Sequence, residues 1–514
     1  MPRERLLLKN ALIVDGTGAP PFHGGVLVED GRIAQVGAVD APADVPSVDC
    51  SGMAAAPGFI DAHSHSDLQV LEGRREKTLQ GVTSEVVGNC GFSPFPTADA
   101  RELHQFANGI LCGGEHWGWS NAAEYLAAAE AAPAANVYAM AGHGSLRVAV
   151  AGLAQRPLTA TEMDRIEGLL EDSLSAGAIG FSTGLMYAPG SCAPPEELER
   201  LCRIVARQGA IYATHMRSYS RGLLDAIREQ IDLARAAGCR LQISHLQAVG
   251  PEQWPLQEPA LELIERALEE GVDVAFDCYP YLAGNTNLTQ LLPQWALDGG
   301  VDAMMVRLAG AERTRIAEES RRNVVVPWSG VIVTAFATDA NRHLTGLSLE
   351  AIAEARGRQP WETLVDLVEE ERGSATVITF NQSPENLRAT LTHPLSIVIS
   401  DGLFVRGKPH PRLHGTFPCF LETVCREKRW LTLPEAVHKI TGRPAARFGL
   451  KERGLLRPGY HADVTVFEPE RIGSRATYKS PDIPPDGLHL VLRNGVILES
   501  PGRGSGLRPN DFRT

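Results

Sequence analysis

The chain has 514 residues, a formal net charge of −13 and 44% hydrophobic residues, enough apolar material for a large core and too much for extended disorder. Its 62 acidic residues against 49 basic ones give no footprint for nucleic acid. No apolar run reaches the roughly 18 residues of a membrane span, and the run behind Met1 is too short for a secretory signal. Nine cysteines, scattered and without a C-x-x-C pair, argue against a disulfide framework or a four-cysteine zinc site and favour free thiols in the cytoplasm.

The first fifty residues alternate short apolar runs with turns. Leu6–Val14, Gly25–Glu29 and Arg32–Val36 are separated by Asp15-Gly16-Thr17-Gly18 and by Asp30-Gly31, and Asp-Gly between apolar runs is a hairpin signal. The far end has the same texture, with Val464–Phe467, then Leu490–Arg493, Asn494-Gly495 and Val496–Leu498. The expected arrangement is one small β-sandwich domain made from residues 1–56 and 452–500. Between them, residues 57–451 alternate strand-like runs with amphipathic helices. The strand candidates are Ala55–Ile60, Thr83–Val87, Asn136–Ala141, Ala178–Ser182, Ile211–Thr214, Arg240–Ser244, Val272–Asp277 and Ser396–Ser400. Helical patterns at Thr161–Ala176, Pro195–Gln208, Ser220–Ala237 and Pro259–Glu270 fall between several of them. Eight strands in this alternation predict an α/β fold, a (β/α)8 TIM-like barrel. The alternation lapses over 283–343, which is expected to be an insertion lying as a lid over the barrel top. Residues 501–514, rich in Gly, Pro and Arg, are expected to be a loose tail or a homo-oligomer contact.

Function in such a barrel concentrates where the strands end. The first strand candidate ends in Asp61-Ala62-His63-Ser64-His65, and alternation puts His63 and His65 on one side. The second ends in Gly88-Asn89-Cys90-Gly91, the fifth in Thr214-His215, the sixth in Ser244-His245 and the eighth in Ser400-Asp401-Gly402. A lone strand-end histidine is more often hydrogen-bonded than metal-bound, a buried cysteine is usually inert, and Asp before Gly is usually a turn. Four histidines, a cysteine and an aspartate on one rim are together a zinc ligand set.

With these segments the chain resembles the amidohydrolase superfamily and, within it, the D-aminoacylase (N-acyl-D-amino-acid deacylase) family. The resemblance runs nearly the whole length. It includes Pro57–His65, Gly88–Pro94, Gly142–Arg147, Gly180–Tyr187, Thr214–Arg217, Ser244-His245, Tyr279-Pro280-Tyr281, Ser400–Gly402 and Gly415–Pro418. Many barrels of this superfamily bridge two metals with a carboxylated lysine on strand four; this chain has no lysine between Lys77 and Lys408, and a Cys90 thiolate is the substitute. The resemblance implies that His215, His245 and Cys90 hold the tighter zinc. It implies that His63, His65 and Asp401, with Cys90 shared, hold a second metal that is weak or absent. It further implies hydrolysis of a linear amide in an N-acyl-D-amino acid, with Asp401 as catalytic base and then acid, Arg412 and Tyr281 on the substrate carboxylate and Tyr187 in the pocket wall. Family members known for D-amino acids commonly carry a lysine two residues after the strand-six histidine; this chain has Gln247, a substrate-binding candidate that can hydrogen-bond a carboxylate without a charge, so either Arg412 and Tyr281 suffice or the substrate differs at this end, for instance as an amide or ester. The partner is a small N-acyl amino acid or related amide. Leu288, Leu291, Leu292 and Trp295 of the insertion are read either as lining for a hydrophobic substrate or as a packed lid.

Three other readings compete. Gly180-Phe181-Ser182-Thr183-Gly184 matches the G-x-S-x-G nucleophile elbow, but it leads into Leu185–Gly190 rather than directly into a helix. A cyclic-amide hydrolase such as a dihydroorotase or hydantoinase is disfavoured by the missing lysine bridge. A silent barrel scaffold would show decayed ligands, and all six are present.

Overall fold

Both termini meet in one sheet, and turn chemistry explains its hairpins. Asp30 and Gly31 have φ of 50° and 77°, and Asn494 and Gly495 have φ of 49° and 81°. Two successive positive φ values define the tight hairpin turn these dipeptides favour. The computed structural model describes residues 5–41, 44–113, 117–132, 134–405 and 407–499; the expected tail at 501–514 lies outside them. In the terminal sheet the order is Val496–Glu499, Leu488–Arg493, Val464–Phe467, Ala54–Pro57, Arg5–Ile13, Phe22–Glu29 and Arg32–Gly37, with Ser47–Asp49 alongside Arg5–Ile13. The sheet curls until its two end hairpins touch: a Cβ on Gly31 would stand 2.8 Å from the Asn494 carbonyl oxygen. Leu6, Leu8, Val26, Val464, Leu490 and Ile497 pack together on its inner face.

The run expected as one strand at Ala55–Ile60 divides in two. Ala54–Pro57 pairs antiparallel with Val464–Phe467, and Phe59–Asp61 opens the barrel beside Val82–Val87. Gly58 makes the switch, because a Cβ there would fall 2.1 Å from Thr83 Oγ1. The remaining barrel strands are Asn136–Gly142, Gly180–Gly184, Ile211–His215, Arg240–Ile243, Val274–Cys278 and Ser396–Val398, each parallel to the next. Nearly every residue in them is buried, as parallel strands covered on both faces require. The seam between the eighth and first strands is stitched by Asp401 N–H to His63 O at 2.9 Å and His65 N–H to Gly402 O at 3.2 Å. Under it, the buried Lys77 ammonium donates to Asp61 Oδ2 at 2.5 Å and also to Ser400.

The insertion after the seventh strand is longer than the sequence pattern indicates. Ala283–Asn287, Thr376–Phe380 and Val331–Ala335 form a separate antiparallel sheet with Thr376–Phe380 in the middle. The unit therefore runs to Phe380 instead of closing at His343. Helical periodicity resumes inside it at Leu349–Arg356 and Pro360–Glu370 because the insertion has its own core, including Leu308, Ile316, Val333, Ile352 and Leu364. Ahead of them the insertion also carries two helices, Gly300–Ala309 and Arg313–Asn323.

Candidate metal centre and catalytic cavity

The loop after the second barrel strand carries Cys90 inward by pressing its backbone onto the neighbouring strand ends. A Cβ on Gly184 would meet the Cys90 carbonyl oxygen at 2.0 Å, so only glycine leaves room for the loop. Ser182 clamps it: its hydroxyl donates to Gly88 O at 2.5 Å and accepts from Gly91 N–H at 3.0 Å. The G-x-S-x-G segment thus positions the cysteine loop, and its serine hydroxyl is consumed by backbone groups. Cys90, His245 and Asp401 all hold left-handed φ, 53°, 34° and 49°. Non-glycine residues adopt that region at a cost, and such strain gathers at functional sites.

Six side chains from five strand ends converge. The ligating atoms of His63, Cys90 and His245 lie within 4.8 Å of one another, and so do those of His63, His65 and Asp401. Cys90 Sγ is 3.3 Å from His63 Nε2 and 3.6 Å from His245 Nε2. Asp401 Oδ1 is 3.3 Å from His65 Nε2 and 3.5 Å from His63 Nε2. His215 stands beside the first trio, its Nδ1 3.0 Å from His245 Nε2, with its Nε2 buried and unpartnered. His63 therefore joins both trios, whereas the resemblance assigns it to the second metal alone.

The charges of the cluster are mutually dependent. Burial opposes ionisation of Cys90, yet His63, His215 and His245 hold its thiol well below the ordinary range. Burial likewise opposes protonation of His63 and His65, and Cys90 with Asp277, and Asp401 with Cys90, raise them, His65 to about 9. Asp401 is held well below the usual carboxylate range, against its burial, by Arg412 first and then His65. His63 and His65 are thus driven towards protonation around an ionised thiol and carboxylate, while burial first and then His245 hold His215 below its ordinary value. The donors are nitrogen, sulfur and one carboxylate, at spacings that ligand bonds of about 2.0–2.3 Å can span, so the set fits zinc.

Three residues that sequence reasoning did not single out support this cluster. Asp277, a lone acid in a buried strand, accepts the His245 backbone N–H at 2.6 Å and lies 3.5 Å from His63 Nδ1. Tyr219 lies against the rings of His215 and His245, both at 5.0 Å, and its hydroxyl donates to Ser244 O at 2.9 Å. Tyr279 lines the cavity and donates to Gln247 Oε1 at 3.1 Å, leaving the Gln247 amide N–H groups for a ligand.

The cluster floors a cavity of about 200 Å³ whose outer wall comes from the insertion, including Asn285, Leu291 and Val324. Tyr187 and Gln247 are among its lining residues. Tyr281 does not: Tyr281 N–H closes a tight turn onto Tyr279 O at 2.9 Å, which sends its ring against His410 and its hydroxyl towards Thr416 and Cys419. Arg412 also lies behind the wall, fully buried, with Nη1 3.0 Å from Asp401 Oδ2 and its guanidinium 4.8 Å over the Tyr279 ring. Of the four insertion side chains offered as pocket lining, Leu291 alone faces the cavity. Leu288 and Leu292 sit in the insertion core, and Trp295 carries Arg315 on its face.

A sequence model of the amidohydrolase family matches residues 47–498. The N-acyl-D-aspartate deacylase of Alcaligenes xylosoxydans xylosoxydans is 35% identical over 98% of this chain and 93% of its own. An N-acyl-D-glutamate deacylase from Bordetella bronchiseptica, solved with zinc and a phosphonate mimic of the tetrahedral intermediate, aligns at TM-score 0.82 and 35% identity over 96% of both chains. A D-aminoacylase structure, described for one-metal activation and second-metal attenuation at a binuclear centre, aligns at 0.83 and 33% identity over 98% of both. With Cys90 seated among the histidines at the barrel rim, the chain belongs to the D-aminoacylase branch of the amidohydrolase family.

Proposed function

We propose that the protein is a zinc-dependent deacylase of N-acyl-D-amino acids, releasing a carboxylate and a free D-amino acid. The observation that carries this reading is the pair of donor trios that meet at His63 on the floor of a cavity, in a chain 35% identical to an N-acyl-D-aspartate deacylase. His215, His245 and Cys90 would hold the tight zinc, and His63, His65 and Asp401, beside Cys90, a second, weaker one. When bound, zinc supplies a Lewis acid for the amide carbonyl and a water acidic enough to ionise near neutral pH.

Asp401 takes the proton from the attacking water, since its depressed pKa keeps it in the base form. It then delivers that proton to the amide nitrogen as the C–N bond breaks. Arg412 and His65 fix the carboxylate on opposite oxygens, so one rotamer serves both transfers. Gln247, oriented by Tyr279, presents N–H donors to the substrate carboxylate, and the buried Arg412 adds a favourable field from behind the wall. Tyr187, 4.8 Å from the His215 ring, bounds the reacting amide.

The same reading treats residues 1–56 with 452–500 as a small accessory domain and 57–451 as the hydrolase barrel with its insertion. Cys50, Cys90, Cys202, Cys239 and Cys278 are buried free thiols, which suits a reducing cytoplasm, and no helix among the described residues is long and apolar enough to cross a membrane. The test is metal analysis joined to a screen of N-acyl-D- against N-acyl-L-amino acids. Zinc bound with D-selective release of amine is expected. Failure on both series with zinc bound would end the assignment, and full activity after metal removal by a chelator would end the metal chemistry.

A further inference from the structure

Two residues beyond the ligand His215, Arg217 uses its guanidinium as a fork on a neighbouring loop. Nη1 donates to Ser191 O at 2.7 Å and Nη2 to Ala193 O at 2.6 Å, while Nε is held by Glu229 Oε1 at 2.8 Å. The chain just beyond these carbonyls offers them nothing, because Pro194 and Pro195 carry no N–H. The loop, residues 185–193, starts at the same strand end, where Leu185 N–H donates to His215 O at 2.9 Å. Its two ends come together: a Cβ on Gly190 would stand 3.2 Å from Gly184 O. From another helix Arg147, paired with Glu197 at 2.6 Å, brings Nη2 within 3.4 Å of Cys192 Sγ, between the two accepted carbonyls. Both ends of the loop are thus tied down, and Met186 and Tyr187 near its start line the metal cavity.

We propose that Arg217 is a positioning residue for the deacylation: by forking the loop's far end onto the strand that carries His215, it holds the Tyr187 ring 4.8 Å from the His215 ring and so fixes the space in which the amide reacts. The inference rests on the deacylase reading and adds to it a residue that acts through Tyr187. Hydrogen bonds from a charged donor are roughly twice as strong as neutral ones, so the fork is a principal restraint on that end of the loop. A hydrocarbon at position 217 leaves the Ser191 and Ala193 carbonyls without their donor and lets Tyr187 drift. The strand Ile211–His215 does not depend on the fork, because it is paired along both edges. Displacement of a positioning group by about 1 Å costs up to about a hundredfold in rate.

The experiment compares zinc-loaded wild type, Arg217→Met, Tyr187→Ala and the double variant on one N-acetyl-D-amino acid. The readouts are zinc content, released amine and hydrogen exchange over residues 185–193. Arg217→Met should lower kcat/KM at least about tenfold at unchanged zinc content. Placed on Tyr187→Ala, the same substitution should lower it by less than about twofold, a dependence that a merely structural role would not produce. Exchange at the hydrogen-bonded N–H groups of Leu185, Tyr187, Ser191 and Ala193 should quicken at least about tenfold, with Ile211–His215 unaffected. Arg217→Lys keeps the cation but not the fork; it should fall between wild type and Arg217→Met, and it carries the comparison if the methionine variant fails to fold. A tenfold loss that persists on the Tyr187→Ala background overturns the proposal, as does wild-type exchange over 185–193. Absence of amine release by wild type from every N-acyl-D-amino acid overturns the deacylase reading instead, and the exchange rates then still decide whether Arg217 holds the loop.

Discussion

Ser182→Ala separates the clamp described above from the serine-nucleophile reading of the same motif. The hydroxyl satisfies two buried backbone groups, the Gly88 carbonyl and the Gly91 N–H. Each group left unpaired costs about 1–3 kcal/mol. Partial relaxation of the loop recovers some of that, so the variant should lose about 2–4 kcal/mol, and this should appear as a lower urea midpoint in metal-stripped protein. Because the loop holds Cys90 at φ 53°, loosening it also weakens metal binding. Zinc affinity measured against a competing chelator should fall about tenfold or more, since about 1.4 kcal/mol is a factor of ten. Saturating zinc should restore most of kcat. A stability change under about 0.5 kcal/mol with unaltered zinc affinity would refute the clamp. Complete loss of turnover in a stable, zinc-replete variant would instead revive the nucleophile.

Asp401→Asn should lower kcat by about 10³-fold or more, beyond a usual general-base contribution of about 10²–10⁴ at its low end, because one group serves both proton transfers. It also strands the buried Arg412, so a lower melting temperature should accompany the kinetic loss, and normal kcat would show that Asp401 is not the base. Lys77→Met leaves the buried Asp61 without its cation and should destabilise by about 3–5 kcal/mol. An unchanged denaturation midpoint would show that the seam between the first and eighth strands does not depend on that pair. Burial pushes Lys439 down to about 8 from 10.5. Between those values the unfolded chain binds the extra proton, so this group makes stability rise as pH goes from about 8 to about 10.5. Lys439→Met should flatten that rise in denaturation midpoints, and an identical pH profile would refute the shift.

The barrel was legible because its strands are covered on both faces and read as unbroken apolar runs, with the polar rim residues standing out at their ends. His63, His65, Cys90, His215, His245 and Asp401 converge for that reason. What the sequence concealed depends on local geometry or on long-range pairing. Tyr279 and Tyr281 flank one proline and look equivalent; a tight turn between them decides which ring faces the cavity. Arg412 sits where a carboxylate fork was expected, but burial and Asp401 already engage it. The insertion's true end was hidden because its closing strand, Thr376–Phe380, pairs with segments roughly 40 and 90 residues earlier, which periodicity does not register. Asp277 carried a weak signal, a single carboxylate inside an apolar strand.

The terminal sheet sets a timetable for the chain's birth on the ribosome. Ala54–Pro57 is made early, yet its partner Val464–Phe467 emerges about 400 residues later, a delay of roughly 20–80 s at bacterial-to-eukaryotic elongation rates of about 5–20 residues per second. The local meander of Arg5–Ile13, Phe22–Glu29 and Arg32–Gly37 can form at once, because each pairs with its neighbour in the chain. Its outer edge must wait, open to pairing with another nascent copy, until the last strands arrive. A deletion at the carboxyl end should therefore injure the amino end first, and co-expressed residues 452–514 should rescue the solubility of a chain cut at 451.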